Sequence, residues 1–150
     1  KMGLTWDTIY PIIKRHLIPI ARNPKNFIRY ATSMIDLSDG LFMDLSRLCD
    51  ESRAGAKIFM ERIPVSSRMR TASSLLGLDA MKLACSGGED YELLFTAPPK
   101  IKFKIQNSKF KIFKITCIGE ITKKDRILVN AKGKEIPLKA IGYQHFEIQR

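Results

Sequence analysis

Apolar positions change their spacing several times along the chain, and each change marks an element. In "WDTIYPIIKRHL", Ile9, Ile12, Ile13 and Leu17 recur at helical intervals, with Pro11 limiting the helix to few turns. Asn23 followed by Pro24 has the form of a cap and a first helical residue, which predicts a second helix running toward Tyr30. "ATSMIDL" reads as a strand, and after Ser38 the residues Leu41, Phe42, Leu45, Leu48 and Cys49 return to helical spacing until the Ala54-Gly55 stop. The stretch "SMIDLSDGLFMDL" is therefore expected to be strand, tight turn, helix, with Asp36 and Asp39 set into an otherwise apolar run.

The pattern continues with "AKIFMERIPV" as a strand closed by Pro64. "SSRMRTASSLLGLDAMKLA" follows as one helix, or two short ones broken near Gly77. "CSGGED" has turn composition, and "YELLFTA" is a strand ended by Pro98 and Pro99, which supply no ladder donors. Further on, "KITCIGEI" predicts another strand, and "RILVN" and "KEIPL" flank Ala131 to Gly133 as a hairpin. Ile101, Phe103 and Ile105 alternate with lysines as in a strand, though a short helix after the proline pair fits equally well. Early strands alternate with helices and the end is antiparallel, so the pattern calls for a mixed sheet with helices packed on it.

Composition narrows the picture. At 150 residues the chain is expected to be a single domain, and no apolar run approaches the roughly 20 residues of a membrane span. The opening "KMGLTWDTIY" has neither the apolar core nor the cleavage site of a signal peptide, so the chain is read as starting inside a longer one. Cys49, Cys85 and Cys117 are odd in number, far apart and without a CxxC pair, which suits a reducing cytoplasm. The net charge of +11 would attract polyanions of any kind. Its lysines, densest from Pro99 to Lys114, accompany no nucleic-acid-binding motif, so a solvated basic face is favoured over a nucleic-acid partner.

Two constellations carry chemistry. In a strand, Met34, Asp36 and Ser38 share one face, so Asp36 stands near the carboxyl end of its strand and Asp39 at the start of the helix. Such an end, beside helix amides, suits a phosphate, but two carboxylates would repel one unless a hard cation intervenes. Mg²⁺ accepts one or two carboxylates and completes its shell with water and substrate phosphates. A plainer alternative has Ser38 or Asp39 simply capping the helix, which accounts for Asp39 but not for Asp36. Asp44, five residues into the helix, is expected on its exposed side. The second constellation is "SGGEDYELLF", where a double-glycine turn leads into Glu89, Asp90 and Glu92; by composition alone it is a polar turn entering a strand. In "GYQHF", Tyr143 and Phe146 suit a core anchor or a stacking surface.

In order and spacing, "MIDLSDGL", "GAKIFMERIPVS", "SGGEDYELLFTAPP", "IGEI" and "GYQHF" resemble the C-terminal half of thiamine-monophosphate kinase, in the superfamily of aminoimidazole ribonucleotide synthetase. The resemblance implies an α+β, three-layer α/β/α-like domain with a mixed sheet. It implies ATP- and Mg²⁺-dependent phosphorylation of thiamine phosphate to thiamine diphosphate in the cytoplasm. It also implies an N-terminal domain, absent here, that carries further aspartates and the homodimer contacts. Residue by residue, Asp36 and Asp39 match Mg²⁺ ligands, Ser38 an ATP contact, Glu89 a substrate contact and Tyr143 an aromatic residue against the thiamine moiety. No catalytic base is implied. "RHLIPIAR" departs from the pattern, with Ile18 where the family often has arginine, and the lysine-rich run after "APP" stands where a helix is usual.

Overall fold

The computed structural model describes residues 5–101 and 115–142. Helix α1 spans Trp6–Leu17 and keeps its course through Pro11. Instead of a second helix, two short 3₁₀ turns follow, Pro24–Asn26 and Ile28–Tyr30. Asn23 does cap the first of them, its side chain accepting the Lys25 N–H at 3.0 Å. Strand β1 (Ser33–Asp36) and helix α2 (Leu41–Glu51) then flank a four-residue turn. Strand β2 (Gly55–Phe59) leads to helices α3 (Ser67–Leu75) and α4 (Ala80–Ser86), two short helices rather than one long one. Strand β3 (Leu93–Thr96) precedes β4 (Gly119–Thr122) and the hairpin of β5 (Arg126–Val129) and β6 (Glu135–Pro137). The undecided segment beginning at Ile101 lies almost wholly outside the described residues.

The strands divide between two sheets. β1 and β3 form an antiparallel ribbon in which Asp36 is paired with Leu93, and β4-β2-β5-β6 form a four-stranded mixed sheet with β2 and β5 parallel. The α+β class and the mixed sheet of the sequence pattern are both present, the mixed sheet being the larger of the two.

Helix α2 joins them. Its apolar stripe, Leu41, Leu45, Leu48 and Cys49, is buried, and Leu45 and Cys49 share a core with Ala56 and Ile58 of β2 and Leu128 of β5. The helix also packs on β1 and on α4. Cys85 of α4 enters the same core, where burial pushes its thiol up to about 11. Cys49 and Cys85 are free and buried, and Cys117 is free and exposed. Among the described residues, no helix is long and apolar enough to cross a membrane. Because Leu45 is buried in the core that α2 shares with β2 and β5, shortening it removes packing at the centre of the fold. Leu45→Ala is expected to lower stability by about 3 kcal/mol, read as a lower urea midpoint at an unchanged slope.

Candidate active site

The site begins where β1 ends. Asp36, the last residue of the strand, has an exposed side chain, and the chain then turns through Ser38, Asp39 and Gly40 into α2. Gly40 has φ +112°, a conformation L side chains rarely adopt, and a Cβ there would lie 3.1 Å from the backbone carbonyl carbon of Ser86 at the end of α4. The turn is thus pressed against a neighbouring helix. No side chain of the turn caps α2.

The turn's own amides are answered from inside the helix. Asp44 is fully buried, and its Oδ2 accepts the N–H groups of Ser38 at 2.9 Å, Asp39 at 3.0 Å and Gly40 at 3.2 Å. Its Oδ1 accepts from the Arg47 guanidinium at 2.9 Å. A buried carboxylate without partners would cost several kcal/mol, and here four donors answer it. Arg47 also pairs with Asp39, so one guanidinium holds two carboxylates. The Asp39 side chain keeps 16% of its surface, and Arg47 half.

The expected exposed position of Asp44 is therefore wrong. Counted along the helix, Asp44 is three residues after Leu41 and four before Leu48, which places it on the buried stripe. Its polarity obscured that signal. The plain reading of Ser38 or Asp39 as the helix cap also fails, because neither side chain accepts from the first turn of α2 and the Asp39 carboxylate pairs with Arg47.

The second acidic motif is laced to the first by backbone hydrogen bonds. Leu37 donates to the Glu92 carbonyl at 2.8 Å, Tyr91 to the Leu37 carbonyl at 2.9 Å, and Glu89 to the Ser38 carbonyl at 2.7 Å. Glu89 and Tyr91 have φ of +65° and +50°, a region uncommon for residues with side chains and held here by these bonds. The loop is built by its contacts rather than by local preference.

A third segment closes around it. Arg22 grips Glu92 with two parallel bonds, Nε to Oε2 at 2.8 Å and Nη2 to Oε1 at 2.6 Å, and Arg15 of α1 pairs with the same carboxylate. Burial pushes Glu92 up, but the hydrogen bonds and charges of Arg22 and Arg15 outweigh it and hold the carboxyl below its ordinary value. Asp90 goes the other way, raised by burial with Arg15 only partly opposing. His16 approaches Glu89, Nδ1 to Oε2, at 3.5 Å with both side chains mostly exposed.

The fold thus unites Asp36, Ser38, Asp39 and Glu89. Tyr143 lies outside the described residues. Its predecessor Gly142 is seated on the turn, since a Cβ there would press on the Asp39 carbonyl and stand 2.6 Å from Met43 Cβ. The sequence reading missed Asp44, Arg47 and the Arg15–Glu92–Arg22 cluster; the last joins residues some seventy positions apart, and no local pattern announces such a pairing. Among the described residues, no group of three or more His, Cys, Asp or Glu side chains is arranged to hold a metal ion.

Known proteins similar to this chain include thiamine-monophosphate kinases and, in fold alone, the hydrogenase maturation protein HypE of E. coli. The thiamine-monophosphate kinase of Buchnera aphidicola (subsp. Acyrthosiphon pisum) is 36% identical over 141 residues, covering 91% of this chain and 43% of that one. That of Haemophilus influenzae is 35% identical, covering 98% of this chain and 46% of its own length. The chain is related to thiamine-monophosphate kinases. The structure of AaThiL complexed with AMPPCP and TMP superimposes with a TM-score of 0.78 at 30% identity, over 96% of this chain and 44% of that one. The chain spans less than half the length of the kinases it matches. No protein-family model matches it.

The two shifted acids give opposite pH signatures. Glu92, lowered in the folded chain, contributes stability that is complete above the ordinary glutamate range and is lost as pH falls through its folded value. Asp90, raised, contributes stability that is complete below the ordinary aspartate range and is lost as pH rises through its folded value. In thermal melts, Glu92→Gln is expected to be less stable than wild type at pH 7, with the gap closing below about pH 4.3. Asp90→Asn should match or exceed wild type at pH 7.

Proposed function

We propose that this chain forms the C-terminal half of a kinase that transfers the terminal phosphoryl group of ATP onto the phosphate of thiamine phosphate, giving thiamine diphosphate and ADP. One observation carries the reading: the aspartate turn after β1 and the glycine-acid loop before β3 are separate in sequence yet joined by three backbone hydrogen bonds. A nucleotide held at the first loop would therefore face an acceptor held at the second. The kinship with thiamine-monophosphate kinases supplies the substrates, in keeping with the ATP analogue and thiamine phosphate bound by AaThiL.

The donor chemistry fits Mg²⁺. Asp44 is committed to backbone amides, so the turn offers two hard oxygen donors, exposed Asp36 and partly covered Asp39. Mg²⁺ asks for one or two protein carboxylates and takes the rest of its shell from water and phosphates. Asp36 and Asp39 would hold it; when bound, it neutralises charge on the polyphosphate. On the family resemblance, Ser38 would contact the nucleotide, and Glu89 and Tyr143 the thiamine phosphate. Phosphoryl transfer requires little covalent chemistry, so these side chains act by placing the two substrates in line, and no general base is assigned. The remaining acids and the homodimer contacts belong to the N-terminal half.

The test is a coupled ADP-release assay with ATP, Mg²⁺ and thiamine phosphate. These 150 residues alone should give no turnover, because groups acting as one unit fail together. Joined to the N-terminal half of the relatives, the chain should turn over thiamine phosphate, and Asp36→Asn should cut that rate by about 100-fold or more with little change in melting temperature. Turnover of about 1 per second by the chain alone would overturn the two-part reading. A normal rate in Asp36→Asn would overturn the placement of the site.

A further inference from the structure

Three consecutive N–H groups converging on one point form a concavity that usually receives an anion from outside. In this chain Asp44 fills it. Its Oδ2 accepts from Ser38, Asp39 and Gly40 together, and because the residue is fully buried the arrangement excludes water and any external phosphate. The other oxygen binds Arg47, which in turn pairs with the Asp39 carboxylate. One side chain thereby sets the backbone of the turn and, through Arg47, the direction of its acid.

We infer that Asp44 is the positioning residue of the site: it holds the turn so that Asp36 and Asp39 present their carboxylates to the metal-bound nucleotide, without touching that nucleotide itself. The inference rests on the kinase reading above. An ordinary helix cap would contribute stability alone. A positioning residue also governs affinity for the metal-nucleotide, and loss of such an outer partner typically costs about 10- to 100-fold.

Two measurements on the protein joined to its N-terminal half test this. In the unsubstituted protein, the amide hydrogens of Ser38, Asp39 and Gly40 should exchange as slowly as those of Ala56 and Ile58 in the core strand. Fast exchange at those three turn amides overturns the proposal and requires no variant. In Asp44→Asn, which keeps the side chain's size but donates where the carboxylate accepted, exchange at these positions should speed up while Ala56 and Ile58 stay protected. KM for Mg²⁺-ATP should rise about tenfold or more, with KM for thiamine phosphate changed less than about threefold. Faster exchange with an unchanged KM for Mg²⁺-ATP would reduce Asp44 to a cap and overturn the proposal. Asp36→Asn in the same assays separates this from the underlying reading: if Asp36→Asn impairs turnover and Asp44→Asn does not, only the positioning role fails, and if Asp36→Asn has no effect, the kinase site itself is misplaced.

Discussion

A buried carboxylate must be answered by donors, and in this chain that requirement organises the whole site. Asp44 sits on the apolar stripe of α2 among residues that bind the helix to both sheets, so its position is set by the core. Its charge then demands partners, and the nearest available are the N–H groups of the turn before the helix. The consequence runs outward from core to surface. Packing fixes α2, α2 fixes Asp44, and Asp44 holds the turn that carries Asp39 and directly follows Asp36, the last residue of β1.

The same logic links the second loop to the first. Glu89 and Tyr91 occupy backbone conformations that would not persist alone, and their N–H groups end on carbonyls of Ser38 and Leu37 in the region Asp44 has ordered. Glu92 begins the return into β3, and the arginines that grip it come from α1 and the segment after it. Side chains from three separate stretches of sequence meet at one carboxylate. Such a pairing is worth more than an exposed ion pair because Arg22 is bidentate and partly covered, although solvent still screens it.

Much of this was legible in the sequence. Periodicity located α1, α2 and the strands; in α2 the apolar spacing and the buried face agree, whereas α1 has no buried residue and leaves Ile13 and Leu17 of its apolar stripe exposed. It misjudged the region after Asn23, where a correct cap and proline led only to single 3₁₀ turns; Phe27 is drawn into the core against Phe95, its ring centroid 5.1 Å away, and the helix does not continue. The acids of the two loops stood out because aspartate and glycine are conspicuous among apolar residues. Asp44 did not, since polarity alone assigned it to solvent while its spacing assigned it to the core. The spacing was the better guide, and the donors that made burial tolerable lay in a turn whose geometry no local pattern prescribes.

Near the site, the chain's own positive charge is already paired with its acids. The sequence carries 26 Lys and Arg against 15 Asp and Glu, yet the arginines nearest the site are already engaged. Arg15 and Arg22 are held by Glu92, and Arg47 by Asp39 and Asp44. The amide concavity that could have received a phosphate is closed by Asp44. Asp36, Glu89 and Asp90 are left with no arginine hydrogen-bonded to them among the described residues. In the proposed reaction a polyphosphate would meet Asp36, Glu89 and Asp90 with no arginine of the described residues hydrogen-bonded to them, which suits its entry together with divalent cations. Burying one aspartate to order the turn thus has a chemical consequence: it closes an amide concavity to external anions, and in the proposed reaction divalent cations would link the acids to the nucleotide.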